Sequence, residues 1–125
     1  MKFTALDLPG VWLIDADIHA DGRGVLRRSF CAEEFRAHGL VATVLQGNIS
    51  ENPHEGTLRG FHYQLPPFEE AKTIMCVGGA LFDIVADLRP ESPTFMRWVS
   101  VELSAAGRQS LHVPAGCANA WLTSE

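Results

Sequence analysis

Hydrophobic and polar side chains alternate with a period of two along most of the chain, and this period predicts β-strands. The longest example is residues 80–88, in which Phe82 and Ile84 share one face. The opposite face carries Asp83 and Asp87 among apolar side chains and is therefore partly polar. Successive residues of a strand point to opposite sides of its sheet, so the alternation assigns each side chain to a face.

The same alternation recurs in short segments separated by glycine and proline. These further predicted strands are residues 12–14, 25–30, 41–49, 58–63, 73–77, 97–103, 110–113 and 118–123. Gly78-Gly79 joins residues 73–77 to residues 80–88 and predicts a β-hairpin there. One short helix is predicted at residues 32–38, with Gly39 as its end. Short strands at this spacing predict an all-β fold, an antiparallel barrel or jelly roll.

Composition excludes several classes of protein. The 125 residues are enough for one domain, and 46% apolar with 20% charged residues is typical of a globular chain. The net charge of −5 argues against electrostatic binding of nucleic acid, and no apolar run approaches the roughly 18 residues of a membrane span. The N-terminus does not have the pattern of a signal peptide. Three widely spaced cysteines without a CxxC pair indicate reduced thiols, which predicts a cytoplasmic protein.

The densest group of polar residues lies within the predicted strand at residues 58–63. On a regular strand Arg59 and Phe61 face one way, whereas Gly60 and His62 face the other, and Tyr63 lies opposite His62. A glycine inside a strand often marks a place where a ligand approaches closely. The segment therefore predicts a cavity lined by His62, with a histidine at a hydrated barrel mouth and no chemical role as the alternative.

Metal ligands and phosphate loops are not indicated by the sequence. The five histidines are widely spaced, without an H-x-H or H-x-x-x-H pair, so no metal site is predicted. Gly78-Gly79 is not followed by the Lys-Ser/Thr of a phosphate loop. Three isolated cations are the best candidates for binding an anionic ligand: Arg23, Arg59 and Lys72.

Residues 56–64, Gly-Thr-Leu-Arg-Gly-Phe-His-Tyr-Gln, resemble the signature G-x-L-R-G-[LMF]-H-[YF]-Q of the dTDP-4-dehydrorhamnose 3,5-epimerase family. The similarity continues through most of the chain. The further matching segments are residues 21–24, 46–50, 66–67, 70–72, 79–80, 82–84, 87–90, 92–95, 97–98, 101–104 and 113–114. Together these motifs are far more specific than any one of them alone.

The resemblance implies a cupin-type antiparallel jelly roll that forms a homodimer by exchanging N-terminal strands. It implies no metal and no organic cofactor. The implied substrate is a nucleotide-diphosphate sugar, a 4-keto-6-deoxyhexose, which is epimerised at C3, C5 or both during the biosynthesis of deoxysugars such as rhamnose. Which centres react and which nucleotide is preferred both stay open.

The resemblance also implies two catalytic residues. His62 matches the general base of the family, and a neutral imidazole with a pKa near 6.5 suits proton abstraction at pH 7. Lys72 matches the residue that stabilises the enolate oxygen, which an ammonium group does electrostatically. The implied substrate-binding residues are Arg23, Gln46, Asn48, Arg59 and Asn119.

Three departures from the family pattern stand out. Asn119 replaces a histidine that faces the ligand, and Arg28 replaces a glutamate that contacts thymine in many members. The tyrosine acid and the aspartate partner of the catalytic histidine match positions after Glu125, with Asp83 or Asp87 as alternative carboxylates. We therefore expect residues 1–125 to be a single jelly-roll domain truncated at its C-terminal end.

Two other functions are compatible with the same residues. A catalytically impaired cupin module would keep the nucleotide-sugar pocket without turnover. A metal-dependent cupin is the weaker alternative because the histidine spacing does not support it.

Overall fold

The computed structural model describes residues 1–125 and consists of ten strands and one short helix. The strands are β1 (Lys2–Ala5), β2 (Trp12–Asp15), β3 (Ile18–Asp21), β4 (Gly24–Arg27), β5 (Leu58–His62), β6 (Lys72–Met75), β7 (Ala80–Asp87), β8 (Trp98–Ser104), β9 (Gln109–Val113) and β10 (Cys117–Thr123). The helix α1 spans Ala32–Ala37. It has six residues and is too short to cross a membrane.

Two four-stranded antiparallel sheets form the body of the fold. Their strand orders are β1-β2-β9-β6 and β5-β10-β7-β8. Apolar side chains from both sheets form one buried cluster, in which Val85 and Leu103 of the second sheet join Leu111 and Val113 of the first. Alternation along β7 and β9 places these side chains between the sheets, so the predicted all-β antiparallel jelly roll with one short helix is confirmed.

The predicted hairpin around Gly78-Gly79 is wrong. β6 pairs with β9, whereas β7 pairs with β8 and β10, so the two glycines carry the chain from one sheet to the other. Both edges of β7 are occupied along seven residue pairs, which leaves no edge for the four-residue β6. Gly79 has a φ of 72°, which suits a glycine, and its carbonyl accepts a hydrogen bond from the Ala105 amide.

The predicted strand at residues 41–49 is also wrong. This segment has no strand, and its apolar side chains are exposed, Leu45 at 90% and Ile49 at 85%. Alternation alone does not make a strand when no neighbouring strand is available for pairing. β1 and β3 were not predicted, and β4 ends at Arg27 instead of residue 30. β3 and β4 form a hairpin that pairs with no other strand.

Helix α1 covers the outer face of the first sheet, as its aromatic contacts show. Phe35 is buried, with its ring 5.7 Å from the Phe3 ring and 5.9 Å from the His112 ring. The His38 ring stacks on Phe3 at 3.9 Å. Gly39 follows with a φ of 72°, so the predicted helix and its glycine end are confirmed.

His112 is expected to make this face sensitive to acid. Its side chain is buried and lies 3.0 Å from the Thr73 hydroxyl, and burial lowers its pKa. At His112 the folded state therefore binds fewer protons than the unfolded state, so the contribution of His112 to stability is complete above about pH 6.5 and falls as the pH drops. His112→Gln should flatten the pH dependence of the free energy of unfolding between about pH 5 and 7. His19→Gln, on exposed β3, is the control, and equal slopes in both variants would contradict the assignment.

Candidate functional site

A cavity of about 340 Å³ opens where β5 ends, β6 begins and the β9–β10 turn passes. Its lining residues are His62, Tyr63, Gln64, Glu69, Glu70, Lys72, Gly116 and Cys117. The cavity thus brings together an imidazole, an ammonium group and a phenol from segments that are separated in sequence. This set can move a proton and stabilise a negative charge.

An irregular register in β5 decides which side chains share the face of His62. Asn119 of β10 pairs with His62, and Trp121 pairs with Arg59, so two steps along β10 match three along β5. At such a β-bulge the extra residue shifts the alternation of side chains. Residues on one side of the bulge then point to the face opposite to the one that a regular period of two assigns to them. Arg59 and His62 therefore share one face, and the prediction of opposite faces is wrong. The His62 ring lies 5.9 Å from the Trp121 ring on this face.

Gly60 lies inside this bulge and is required there by the neighbouring strand. Its φ is 118°, and a Cβ added to it would lie 2.7 Å from Cα of Ala120 and 2.7 Å from the carbonyl oxygen of Asn119. The close approach is therefore made by the backbone of β10, whereas the sequence had indicated a ligand.

Gly60→Ala should destabilise the protein by about 1–3 kcal/mol, because the added methyl group must push β5 away from β10. Loss of this register would also move His62 relative to the cavity. Gly22→Ala is the matched control, since a Cβ at Gly22 would contact nothing within 4 Å. Urea unfolding measures both variants, and equal midpoints would contradict the steric argument.

Tyr63 lies beside His62 in the cavity, although strand alternation predicted it on the opposite face. β5 ends at His62, so the period of two does not extend to Tyr63. The sequence analysis assigned no role to Glu69 and Glu70, which lie three and two residues before Lys72 and add two carboxylates to the lining. Their proximity to the predicted Lys72 was the signal available in the sequence.

Lys72 approaches the cavity from the opposite sheet. It pairs with buried Val113 across β6 and β9, and alternation therefore directs it to the interior between the sheets. Cys117 lines the cavity too, but burial raises the pKa of its thiol to about 11. Its thiol is therefore protonated at neutral pH and is not an activated nucleophile.

Asn119 and Asp83 form a buried pair on adjacent strands and do not line the cavity. The Asn119 amide donates to Oδ1 of Asp83 and, at 3.1 Å, to the carbonyl of Ile84. Both side chains are 0% exposed. Burial raises the pKa of Asp83 to about 7, against the opposing effects of the Asn119 hydrogen bond and the Lys72 charge.

Asp87 is the other acidic residue on the inner face of β7, and it holds the following loop. Its carboxylate accepts hydrogen bonds from the side chains of Arg89, Ser92 and Thr94. Burial alone would raise its pKa, but these bonds outweigh burial and hold the pKa well below its usual range. Neither Asp87 nor Asp83 forms a hydrogen bond with His62.

The other predicted binding residues lie outside the cavity. Arg23 is 90% exposed at the tip of the β3–β4 hairpin and pairs with Asp21 at 2.7 Å. Gln46 and Asn48 are exposed in the segment without strands. Arg59 donates from Nε to the Asn52 side chain at 2.6 Å. No group of three or more His, Cys, Asp or Glu side chains is arranged to hold a metal ion.

A family model for dTDP-4-dehydrorhamnose 3,5-epimerase matches residues 5–125. The chain belongs to this family. One relative of that name, from Mycobacterium tuberculosis, is 44% identical over 124 residues, which cover 98% of this chain and 60% of the relative. The resemblance described from the sequence is therefore confirmed.

Solved structures of epimerases support the same assignment. The crystal structure of dTDP-4-dehydrorhamnose 3,5-epimerase from Elizabethkingia anophelis has a TM-score of 0.95 at 31% identity, covering 100% of this chain and 68% of that one. A 3'-monoepimerase from Streptomyces bikiniensis, crystallised with dTDP-quinovose, has a TM-score of 0.87 at 39% identity, covering 95% and 60%. These similarities confirm the cupin-type jelly roll.

The chain spans 60% to 66% of the length of the first curated relatives that it matches.

Proposed function

We propose that this chain epimerises a nucleotide-linked 4-keto-6-deoxyhexose of the dTDP-4-dehydro-6-deoxyglucose type. The observation that carries the proposal is the cavity in which His62 and Lys72 come together from opposite sheets. The names of the epimerase relatives support the substrate class. The reaction needs a base and an electrostatic partner for an oxyanion, and these two side chains supply both.

The C4 ketone makes the neighbouring protons at C3 and C5 acidic, because loss of either proton gives an enolate. In the proposed mechanism neutral His62 removes the proton. The Lys72 ammonium stabilises the negative charge that develops on the C4 oxygen. A proton from solvent is delivered to the opposite face of the carbon, which completes the inversion, and His62 releases the abstracted proton to solvent. No bond to a leaving group is broken.

Recognition of the nucleotide is proposed to depend on Arg59, which the bulge places on the face of His62. A guanidinium group binds a diphosphate through paired hydrogen bonds, and this contact orients the sugar for proton transfer. Arg59 must then exchange its contact with Asn52 for the diphosphate.

Arg23, Gln46 and Asn48 are proposed to reach the substrate in a homodimer. The β3–β4 hairpin is unpaired and exposes apolar side chains, with Leu26 73% exposed. The segment at residues 41–49 is similarly exposed. A second copy would cover both surfaces and bring their polar residues to a cavity. The three cysteines are free, which fits the reducing cytoplasm proposed for the protein.

Leu26→Glu should weaken the proposed dimer, because it places a charge in the apolar surface of the hairpin. Val77→Glu is the control, since Val77 is also exposed, at 69%, but lies in the loop that connects β6 to β7 and not in the β3–β4 hairpin. Analytical ultracentrifugation should show a dimer for the parent protein and the control and mainly monomer for Leu26→Glu. A monomeric parent protein would contradict the proposal.

The direct assay incubates the protein with dTDP-4-keto-6-deoxyglucose, reduces the ketone chemically and determines the sugar configuration by NMR. Inversion at C3, at C5 or at both is the expected result, and C3 alone would match the activity named for the Streptomyces bikiniensis relative. An unchanged sugar from a folded protein would contradict epimerase activity.

A nucleotide-sugar-binding module without turnover is the second candidate. The observation that favours it is that His62 forms no hydrogen bond with either buried carboxylate. Thermal stabilisation by the sugar nucleotide without any inversion would support this candidate over the enzyme.

A further inference from the structure

Asp83 and Asn119 leave two buried oxygen atoms without hydrogen-bond donors. These atoms, Oδ2 of Asp83 and Oδ1 of Asn119, are the only buried side-chain nitrogen or oxygen atoms that lack a partner. Buried polar atoms are nearly always hydrogen-bonded, so the pair calls for an explanation. Both residues are fully buried, and neither lines the cavity from which a ligand could donate.

Counting donors shows that one proton is missing from this pair. The Asn119 amide nitrogen already donates to Oδ1 of Asp83 and to the Ile84 carbonyl, so both of its hydrogens are used. An ionised Asp83 would therefore leave a buried negative charge beside a second unpartnered acceptor. A proton on Oδ2 removes the charge and supplies a donor for Oδ1 of Asn119.

We propose that Asp83 and Asn119 form a neutral acid–amide pair, and that its protonation controls how much of the Lys72 charge is available in the cavity. The second part rests on the proposed epimerase function. While Asp83 is neutral, the Lys72 ammonium is free to stabilise the substrate oxyanion. Ionisation of Asp83 places a carboxylate near Lys72, which neutralises that field and slows the reaction.

The surroundings of the pair support this coupling. Asp83 pairs with Trp121 of β10 and Val101 of β8, neither of which is charged. Other charged or titratable side chains share the inner face with the pair. Lys72 is directed between the sheets by its pairing with Val113, and its charge acts on Asp83. His62 pairs with Asn119, and Arg59 pairs with Trp121. Burial raises the pKa of Asp83 to about 7, which agrees with a proton held within the pair.

Asp83→Asn tests the acid–amide pair without substrate, because an amide at position 83 reproduces the donor and acceptor of the protonated acid. Since the folded pKa is raised, the contribution of Asp83 to stability should be lost as the pH rises from about 4 to 7. The free energy of unfolding of Asp83→Asn, measured relative to the parent protein, should therefore rise over this range. Asp87→Asn is the matched control on the same face of β7. The Asp87 carboxylate only accepts hydrogen bonds, so its replacement by an amide should lower the stability of the protein. The same pH dependence of stability in the parent protein and in Asp83→Asn would overturn the proposed pair.

Carbon-13 NMR of the Asp83 carboxyl group gives a second, direct measurement. The resonance should titrate near neutral pH in the parent protein. Titration near pH 4, the ordinary value for an aspartate, would overturn the proposed protonation.

The control of Lys72 is tested by the pH profile of epimerisation. The parent rate should fall about tenfold per pH unit above the Asp83 transition, and this alkaline limb should be missing in Asp83→Asn. The same alkaline limb in both proteins would overturn the role of the pair in the reaction. If neither protein epimerises the sugar at any pH, both the proposed function and the control of Lys72 fail, while unfolding and NMR still decide the acid–amide pair.

Discussion

His62→Asn is expected to lower the epimerisation rate by about 10²–10⁴-fold, the usual contribution of a positioned general base. Asparagine is similar in size and polarity to histidine but cannot accept the proton from carbon. Binding of the sugar nucleotide should change little, because the diphosphate is assigned to Arg59. Initial rates report the effect on catalysis, and ligand-dependent thermal stabilisation reports the effect on binding. Both are measured on the same preparations.

His54→Asn is the matched control for this substitution. His54 precedes β5 and does not line the cavity. Its backbone carbonyl, which the substitution keeps, accepts hydrogen bonds from the hydroxyl groups of Thr57 and Thr123. The control should retain nearly the full rate. A His62→Asn rate within a factor of about three of the parent rate would remove His62 from the role of base.

Asp87→Asn is expected to give the largest loss of stability, about 3–5 kcal/mol. Losses of this size are typical when one partner of a buried network of charged groups is removed, because the remaining buried groups are left without an interaction partner. The Asp87 carboxylate is 0% exposed and receives donors from the backbone and side chain of Arg89 as well as from two hydroxyl groups. An amide retains one acceptor and places an N–H group against these donors.

Urea unfolding at pH 7 measures this loss, and a decrease below about 1 kcal/mol would contradict it. The pH dependence provides an internal check. Because the pKa of Asp87 is lowered in the folded state, its contribution is complete above about pH 4 and disappears as the pH falls further. Asp87→Asn should lack this acid-sensitive part of the stability.

The bounds predicted for the four strands of the second sheet differ from the observed bounds by at most one residue, and each of these strands pairs with at least one neighbour. Along β7 every second residue from Asp83 to Asp87 is buried, which is the period of two that the sequence indicated. The wrong strand at residues 41–49 has the same alternation but no neighbouring strand. Pairing is a property of the whole fold, which a local pattern does not contain.

The partner of a strand was harder to predict than the strand itself. Gly78-Gly79 has the composition of a hairpin turn, yet it connects β6 and β7 in different sheets. The bulge at Gly60 likewise depends on the backbone of β10, about 60 residues later in sequence, as the steric contact with Ala120 shows. Faces assigned by counting residues therefore failed for Arg59 and Tyr63.

The candidate site was predicted mainly through the family resemblance. His62 and Lys72 lie in one cavity, as the resemblance implied, although their chemical roles stay predictions. Asn119 is buried against Asp83, and Arg23 is exposed on the hairpin, so neither lines that cavity. Residue types and motif spacing do not reveal a buried contact between strands.

Solvent-hydrogen exchange is the most direct test of proton abstraction in this cavity. The parent protein and His62→Asn are incubated in D₂O with dTDP-4-keto-6-deoxyglucose, and deuterium at C3 and C5 is measured by NMR. We expect the parent protein to incorporate deuterium at one or both carbons and His62→Asn to lose at least about 99% of that rate. No incorporation by the folded parent protein, or equal incorporation by both proteins, would contradict the proposed chemistry.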